Sequence, residues 1–192
     1  MMLSPVAAAP VRLGGSIADV TPDPSPADAF ADVLEANRAY VAGHAHSGLA
    51  AAARRGLAVL TCIDSRIEPL QMLGLVPGDA KILRNAGARV TEDAIRSLTL
   101  ATSLLGVRRV MVVAHTDCAM RGVTDEQLRA AIRDAQPGVQ IGAMVLHAAP
   151  DPLVNLRDDL AVLRTPGVLP AGVIASGFEY DVHSGELRVM VP

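Results

Sequence analysis

Residues 56–66 read GLAVLTCIDSR: a glycine, a short apolar run over Leu57–Thr61, and then Cys62, Asp64 and Arg66 in quick succession. A run this short, bounded by a glycine, reads as a strand buried on both faces. The same design recurs at 109–118. There the β-branched run Arg109–Ala114 leads into His115-Thr116-Asp117-Cys118. These two places hold both cysteines of the chain. Each apolar run delivers metal-capable side chains at its end.

Two further strands are expected at Ala80–Leu83 and Gly172–Ser176. Phe178–Val182 and Leu187–Val191 flank His183-Ser184-Gly185-Glu186 and read as a hairpin. Helical patterns lie between them. The first opens near Ser25-Pro26, carries Phe30, Val33, Leu34 and Val41 at helical spacing, and stops at Gly43. A short one covers Pro69–Leu73. Thr91 caps the next, with Glu92 and Asp93 in its first turn. Thr124–Ala135 is another. Pro152–Leu163 aligns Leu153, Leu156, Leu160 and Leu163 on one face, which reads as core packing. Strands alternating with helices give an α/β class: a mostly parallel central sheet of four strands, an antiparallel C-terminal edge strand, and helices on both faces. Ligands in such folds collect at the carboxyl ends of strands, where Cys62 and His115 sit.

The 192 residues fit one domain over 26–192 with a flexible N-terminal arm over 1–25, rich in Pro, Ala, Ser and Asp. Hydrophobic residues make up 51% but aromatics only 2%, so the core must be built from Ala, Val, Leu, Ile and Met. A formal net charge of -3, with Lys81 the only lysine, gives no basic surface for nucleic acid. Met1–Gly15 lacks the basic start of a signal peptide, and no apolar run is long enough to cross a bilayer. No membrane partner and a cytoplasmic location are therefore expected. Neither GxGxxG nor GxxxxGK[ST] occurs, so no dinucleotide or P-loop nucleotide site is indicated.

Cys62, His115 and Cys118 are candidate metal ligands, since thiolate and imidazole suit zinc. Three ligands leave a fourth tetrahedral place for water, as in a catalytic centre. Read alone, the cysteines are also compatible with the lesser alternative of small buried core thiols. Asp64 competes for the fourth place, yet its spacing from Arg66 also permits a carboxylate–guanidinium pair that holds it off the metal. Asp117 reads as a local hydrogen-bonding or helix-starting residue. His44, His46, His147 and His183 read as surface or loop histidines.

Together these motifs resemble the β-class carbonic anhydrases. Cys62-Ile63-Asp64-Ser65-Arg66 matches that family's Cys-x-Asp-Ser-Arg, and His115-Thr116-Asp117-Cys118 its His-x-x-Cys. Gly78-Asp79 and Arg84-Asn85-Ala86-Gly87 match the segments between. The resemblance runs from Leu57 to Cys118 in order and spacing, and looks closest to the short bacterial forms. It implies Zn²⁺ on Cys62, His115 and Cys118, and Asp64 with Arg66 as a catalytic dyad. It also implies carbon dioxide and bicarbonate as substrates, with the Gly87-Ala88 backbone near them. It further implies a homodimer or a dimer of dimers, built through the N-terminal helix. The chain departs from the family at Ala119, where glycine is usual; a backbone needing φ > 0 there would be strained. Members closed at rest, with the aspartate on zinc, have a tryptophan in their accessory pocket. This chain has none, so the open arrangement is expected. Two other functions fit the same residues: a zinc hydrolase acting on CS₂ or COS, and a non-catalytic zinc-binding or bicarbonate-sensing protein.

Overall fold

Both cysteine-bearing apolar runs become central strands of one sheet in the computed structural model, which describes residues 28–192. These residues divide into two compact units, one holding Ala51–Pro192 and one ending at Ala50. In the smaller unit, helix α1 spans Ala31–Ala42 and is capped by Gly43. None of its residues is buried; Phe30, Val33, Leu34, Tyr40 and Val41 are all exposed. The expected helix start near Ser25-Pro26 and the arm over 1–25 lie outside the described residues.

The larger unit is built on strands β1 (Leu57–Cys62), β2 (Ala80–Asn85), β3 (Arg109–His115), β4 (Ile174–Tyr180) and β5 (Leu187–Val191), in the order β2-β1-β3-β4-β5. The first four are mutually parallel, and β5 pairs antiparallel with β4 at the edge. All six residues of β1 are buried, as its unbroken apolar sequence requires of a strand covered on both faces.

Side chains alternate between two cores, as period two dictates. On one face Ala58, Leu60, Val110, Val112 and Ala175 meet two helices. Helix α3 (Glu92–Leu104) contributes Ala94, Leu98 and Ala101, and α5 (Pro152–Leu163) contributes Leu156, Leu160 and Leu163. On the other face Leu57, Val59 and Val113 pack with Leu75 and with Leu70 and Met72 of the short α2 (Pro69–Met72). Thr91 caps α3 by accepting from the Ala94 amide. Thr124 and Gln127 form a reciprocal capping box at the start of α4 (Asp125–Ala135). Among the described residues no helix is long and apolar enough to cross a membrane.

The sequence reading splits the C-terminal strands at Gly177, but the structure runs them together as β4. Glycine normally weakens a strand; here it lets α5 approach the sheet. A Cβ on Gly177 would lie 2.8 Å from the Leu156 Cγ and 2.8 Å from the Leu160 Cδ1. The β4–β5 register also shifts at this glycine. Gly177→Ala is expected to cost about 1–3 kcal/mol by overpacking, read as a lower denaturation midpoint in urea; an unchanged midpoint would show that α5 gives way freely.

Candidate metal centre

Strands β1 and β3 pair in register from Leu57 opposite Arg109 to Thr61 opposite Val113. Their last residues, Cys62 and His115, therefore leave the sheet together at its carboxyl edge. Three residues after His115, Cys118 returns to them. One candidate ligand atom from each of Cys62, His115 and Cys118 lies within 4.8 Å of the others. The two sulfurs are 4.0 Å apart. Two thiolates on a tetrahedral ion, each about 2.3 Å from it, would stand about 3.8 Å apart.

His115 is 2% exposed, and its two ring nitrogens differ. Nδ1 lies 2.7 Å from the Thr116 carbonyl, which can only accept, so Nδ1 carries the proton. Nε2 then presents a lone pair, and it is buried with no hydrogen-bond partner among the described residues. An orphaned buried acceptor is costly; a cation between Nε2 and the sulfurs removes that cost. The set thus fits a soft or borderline metal ion. The Cys62 thiol is held down, chiefly by the hydrogen bond from the Cys118 thiol, with further help from the Gly87 amide. Cys118, which keeps the shared proton beside that thiolate, is pushed up.

Asp64 faces Arg66, as the open arrangement requires. The Arg66 Nε donates to Asp64 Oδ1 at 2.9 Å and Nη2 to Oδ2 at 2.7 Å, and the Arg66 amide adds a bond to Oδ1 at 2.9 Å. This guanidinium holds the Asp64 carboxyl down to about 2. The unfolded value is about 3.9, so the pair's contribution to stability is present above about pH 4 and is lost as pH falls through about 2. Asp64 Oδ2 nonetheless stays 3.9 Å from His115 Nε2.

The turn after β2 completes the site's wall. Arg84 donates from Nε to the Cys62 carbonyl at 2.9 Å and from Nη2 to the Asp64 carbonyl at 2.7 Å, fixing the end of β1. Asn85 closes the turn, donating to the Arg89 carbonyl at 2.7 Å and accepting from the Arg89 amide at 2.8 Å. Both residues thus satisfy backbone groups around the site. Inside the turn, Gly87 (φ 80) and Ala88 (φ 58) are left-handed, and the Gly87 amide points at the Cys62 sulfur, 3.4 Å away. A small cleft opens beside them, lined among others by Gly87, Ala88, His115, Cys118, Met120 and Leu156.

Two features escaped the sequence reading. Asp159 lies on the buried face of α5 and receives Arg89 in a bidentate pair at 2.7 and 3.1 Å. Its only sequence signal was an acid on the apolar side of the leucine helix. Asp117, read as a local residue, instead bonds Arg66 across 51 positions. Ala119 is not among the residues with positive φ, so the strain that a glycine there would relieve is absent. Within the smaller unit, exposed His44 bonds Tyr40 at 3.1 Å and its ring meets that of His46 edge-on.

Fold and site together define an α/β protein with a candidate Cys-His-Cys metal centre at the carboxyl edge of a parallel sheet. The carbonic anhydrase family model matches residues 57–151. The chain is 34% identical to Beta-carbonic anhydrase 1 of Mycobacterium tuberculosis over 71% of its own length and 82% of that protein's. It is also 34% identical to a carbon disulfide hydrolase of an Acidianus strain, over 70% of its length and 76% of that protein's. The crystal structure of a Streptococcus mutans carbonic anhydrase superposes with a TM-score of 0.77 at 36% identity, covering 84% of this chain and 96% of that one. The chain belongs to the β-carbonic anhydrase family.

Cobalt or zinc titration checks the cluster. Cys62→Ser should lose stoichiometric metal, because it removes one of the three candidate donors. Asp64→Asn should retain it, because Arg66 holds that carboxylate; metal loss in the Asp64 variant would make the aspartate a ligand.

Proposed function

We propose that this protein is a zinc-dependent carbonic anhydrase that interconverts carbon dioxide with bicarbonate and a proton. The observation that carries the reading is the orphaned His115 Nε2, facing two cysteine sulfurs beside the Asp64–Arg66 pair. Cys62, His115 and Cys118 would hold Zn²⁺ with one tetrahedral place left open. Bound there, zinc supplies Lewis acidity and brings the pKa of water toward neutrality.

The remaining work falls to side chains. Asp64, kept ionised by Arg66, is an acceptor only, so it takes a hydrogen bond from the reacting water and fixes which lone pair faces the substrate. Arg66 keeps that carboxylate from swinging toward His115. The apolar part of the cleft, with Ala88, Met120 and Leu156, suits a small apolar molecule such as CO₂.

Helix α1 supports the expected homodimer or dimer of dimers. A 12-residue helix is marginal in water by itself. Its exposed Phe30, Val33, Leu34 and Val41 gain stability if a second copy covers them. In this reading residues 26–192 form one zinc domain, and the protein works in the cytoplasm.

The carbon disulfide hydrolase relative, as similar as the carbonic anhydrase in identity, favours one alternative: CS₂ or COS as substrate for the same centre. Stopped-flow hydration assays on the zinc-loaded protein should show CO₂ turnover well above buffer. Asp64→Asn should lose about two to four orders of magnitude of it, the usual worth of a positioned acid–base group. CS₂ turnover without CO₂ hydration would move the assignment to the hydrolase. Full zinc occupancy with neither activity would leave a binding or sensing protein.

A further inference from the structure

We propose that Asp117 is a positioning residue that clamps Arg66 and so keeps the Asp64 carboxylate off the metal position. This rests on the metal reading of Cys62, His115 and Cys118 given above.

The guanidinium of Arg66 is gripped on two edges. Nε and Nη2 donate to Asp64 at 2.9 and 2.7 Å. On the next edge, Nη1 donates to Asp117 Oδ2 at 2.8 Å and Nη2 to the Asp117 carbonyl at 3.0 Å. Two edges of a planar fork are thereby fixed, which determines the orientation of the whole group. One residue supplies both acceptors of the second edge because of its backbone. Asp117 has φ 54, in the left-handed region that aspartate tolerates better than most residues.

The clamp matters because Arg66 grips Asp64 from a partly exposed position. The Arg66 side chain is 41% exposed, so solvent competes for a guanidinium held along one edge only. A third charged group turns the pair into a network. Asp64 Oδ2 sits 3.9 Å from His115 Nε2, so a small swing would bring it to a metal held there. Asp117 also lies between two candidate ligands, His115 and Cys118, in the chain. The loop that builds the metal centre is thus the same loop that secures the arginine. It couples the metal centre to the orientation of the dyad.

The test uses the full chain loaded with cobalt(II), with azide as the probe of an exchangeable coordination position and the visible spectrum as readout. Asp117→Gly suits the left-handed backbone and removes only the side chain. The wild-type spectrum should respond to azide. In Asp117→Gly the half-saturating azide concentration should rise by about tenfold, the factor expected when the competent arrangement falls to about a tenth of the population. Adding Asp64→Asn to that variant should restore the wild-type response, because the released carboxylate is the competitor. An unchanged azide response in Asp117→Gly overturns the proposal. So does a weakened response that Asp64→Asn fails to rescue, which makes Asp117 structural only. A wild-type protein that binds no cobalt defeats the metal reading itself, and the inference with it.

Discussion

The parallel pairing of β1 with β3 is the constraint on which the centre depends. Parallel neighbours point their carboxyl ends the same way, and this pairing is in register from Leu57–Arg109 to Thr61–Val113. Cys62 and His115, 53 positions apart in the chain, are therefore released at one edge of the sheet. A one-residue slip would reverse the faces of every side chain on β1. Ala58 and Leu60 would leave the core they share with α3 and α5, so the hydrophobic pattern that folds the sheet also fixes the site.

Strand ends are loose by nature, and here they are tied by arginines. Arg84 occupies two carbonyls of the Cys62–Asp64 segment. Arg89 spends its donors on the Asp159 carboxylate and on the carbonyls of His147 and Ala148. That buried ion pair is satisfied on both sides, the condition under which burying charge is tolerable. It links α5 to the turn holding Gly87 and Ala88, so the wall of the cleft is anchored in the main core. Truncating either partner leaves a buried charge without compensation.

Charge in the site is arranged in two compartments. Cys62, Cys118 and His115 gather sulfur and imidazole donors, with Cys62 and His115 buried, a set that suits a soft or borderline cation. Just outside, Asp64, Arg66 and Asp117 form a chain of alternating sign at partial exposure. The carboxylate nearest the pocket faces outward to its guanidinium. The same atoms could serve as a fourth ligand or as an acceptor for water, and the arginine decides between them.

Much of this was legible in the sequence, for local reasons. Short apolar runs ending in Cys62 and His115 specify buried parallel strands, and the helix over Pro152–Leu163 follows from its leucine spacing. Cys-x-Asp-Ser-Arg and His-x-x-Cys name the candidate site because their chemistry is carried by residues close in the chain. Gly177 misled, since a strand glycine reads as a break until the leucines of α5 are seen against it. Asp159 and Asp117 were invisible in their roles because each partner lies at least 51 positions away. Sequence by itself determined which residues could hold a metal and which strands carry them, because side-chain chemistry and hydrophobic period are local. Only the tertiary structure decided that Asp64 turns to Arg66 and that Asp117 grips the same arginine, because that choice depends on distances between loops that no spacing encodes.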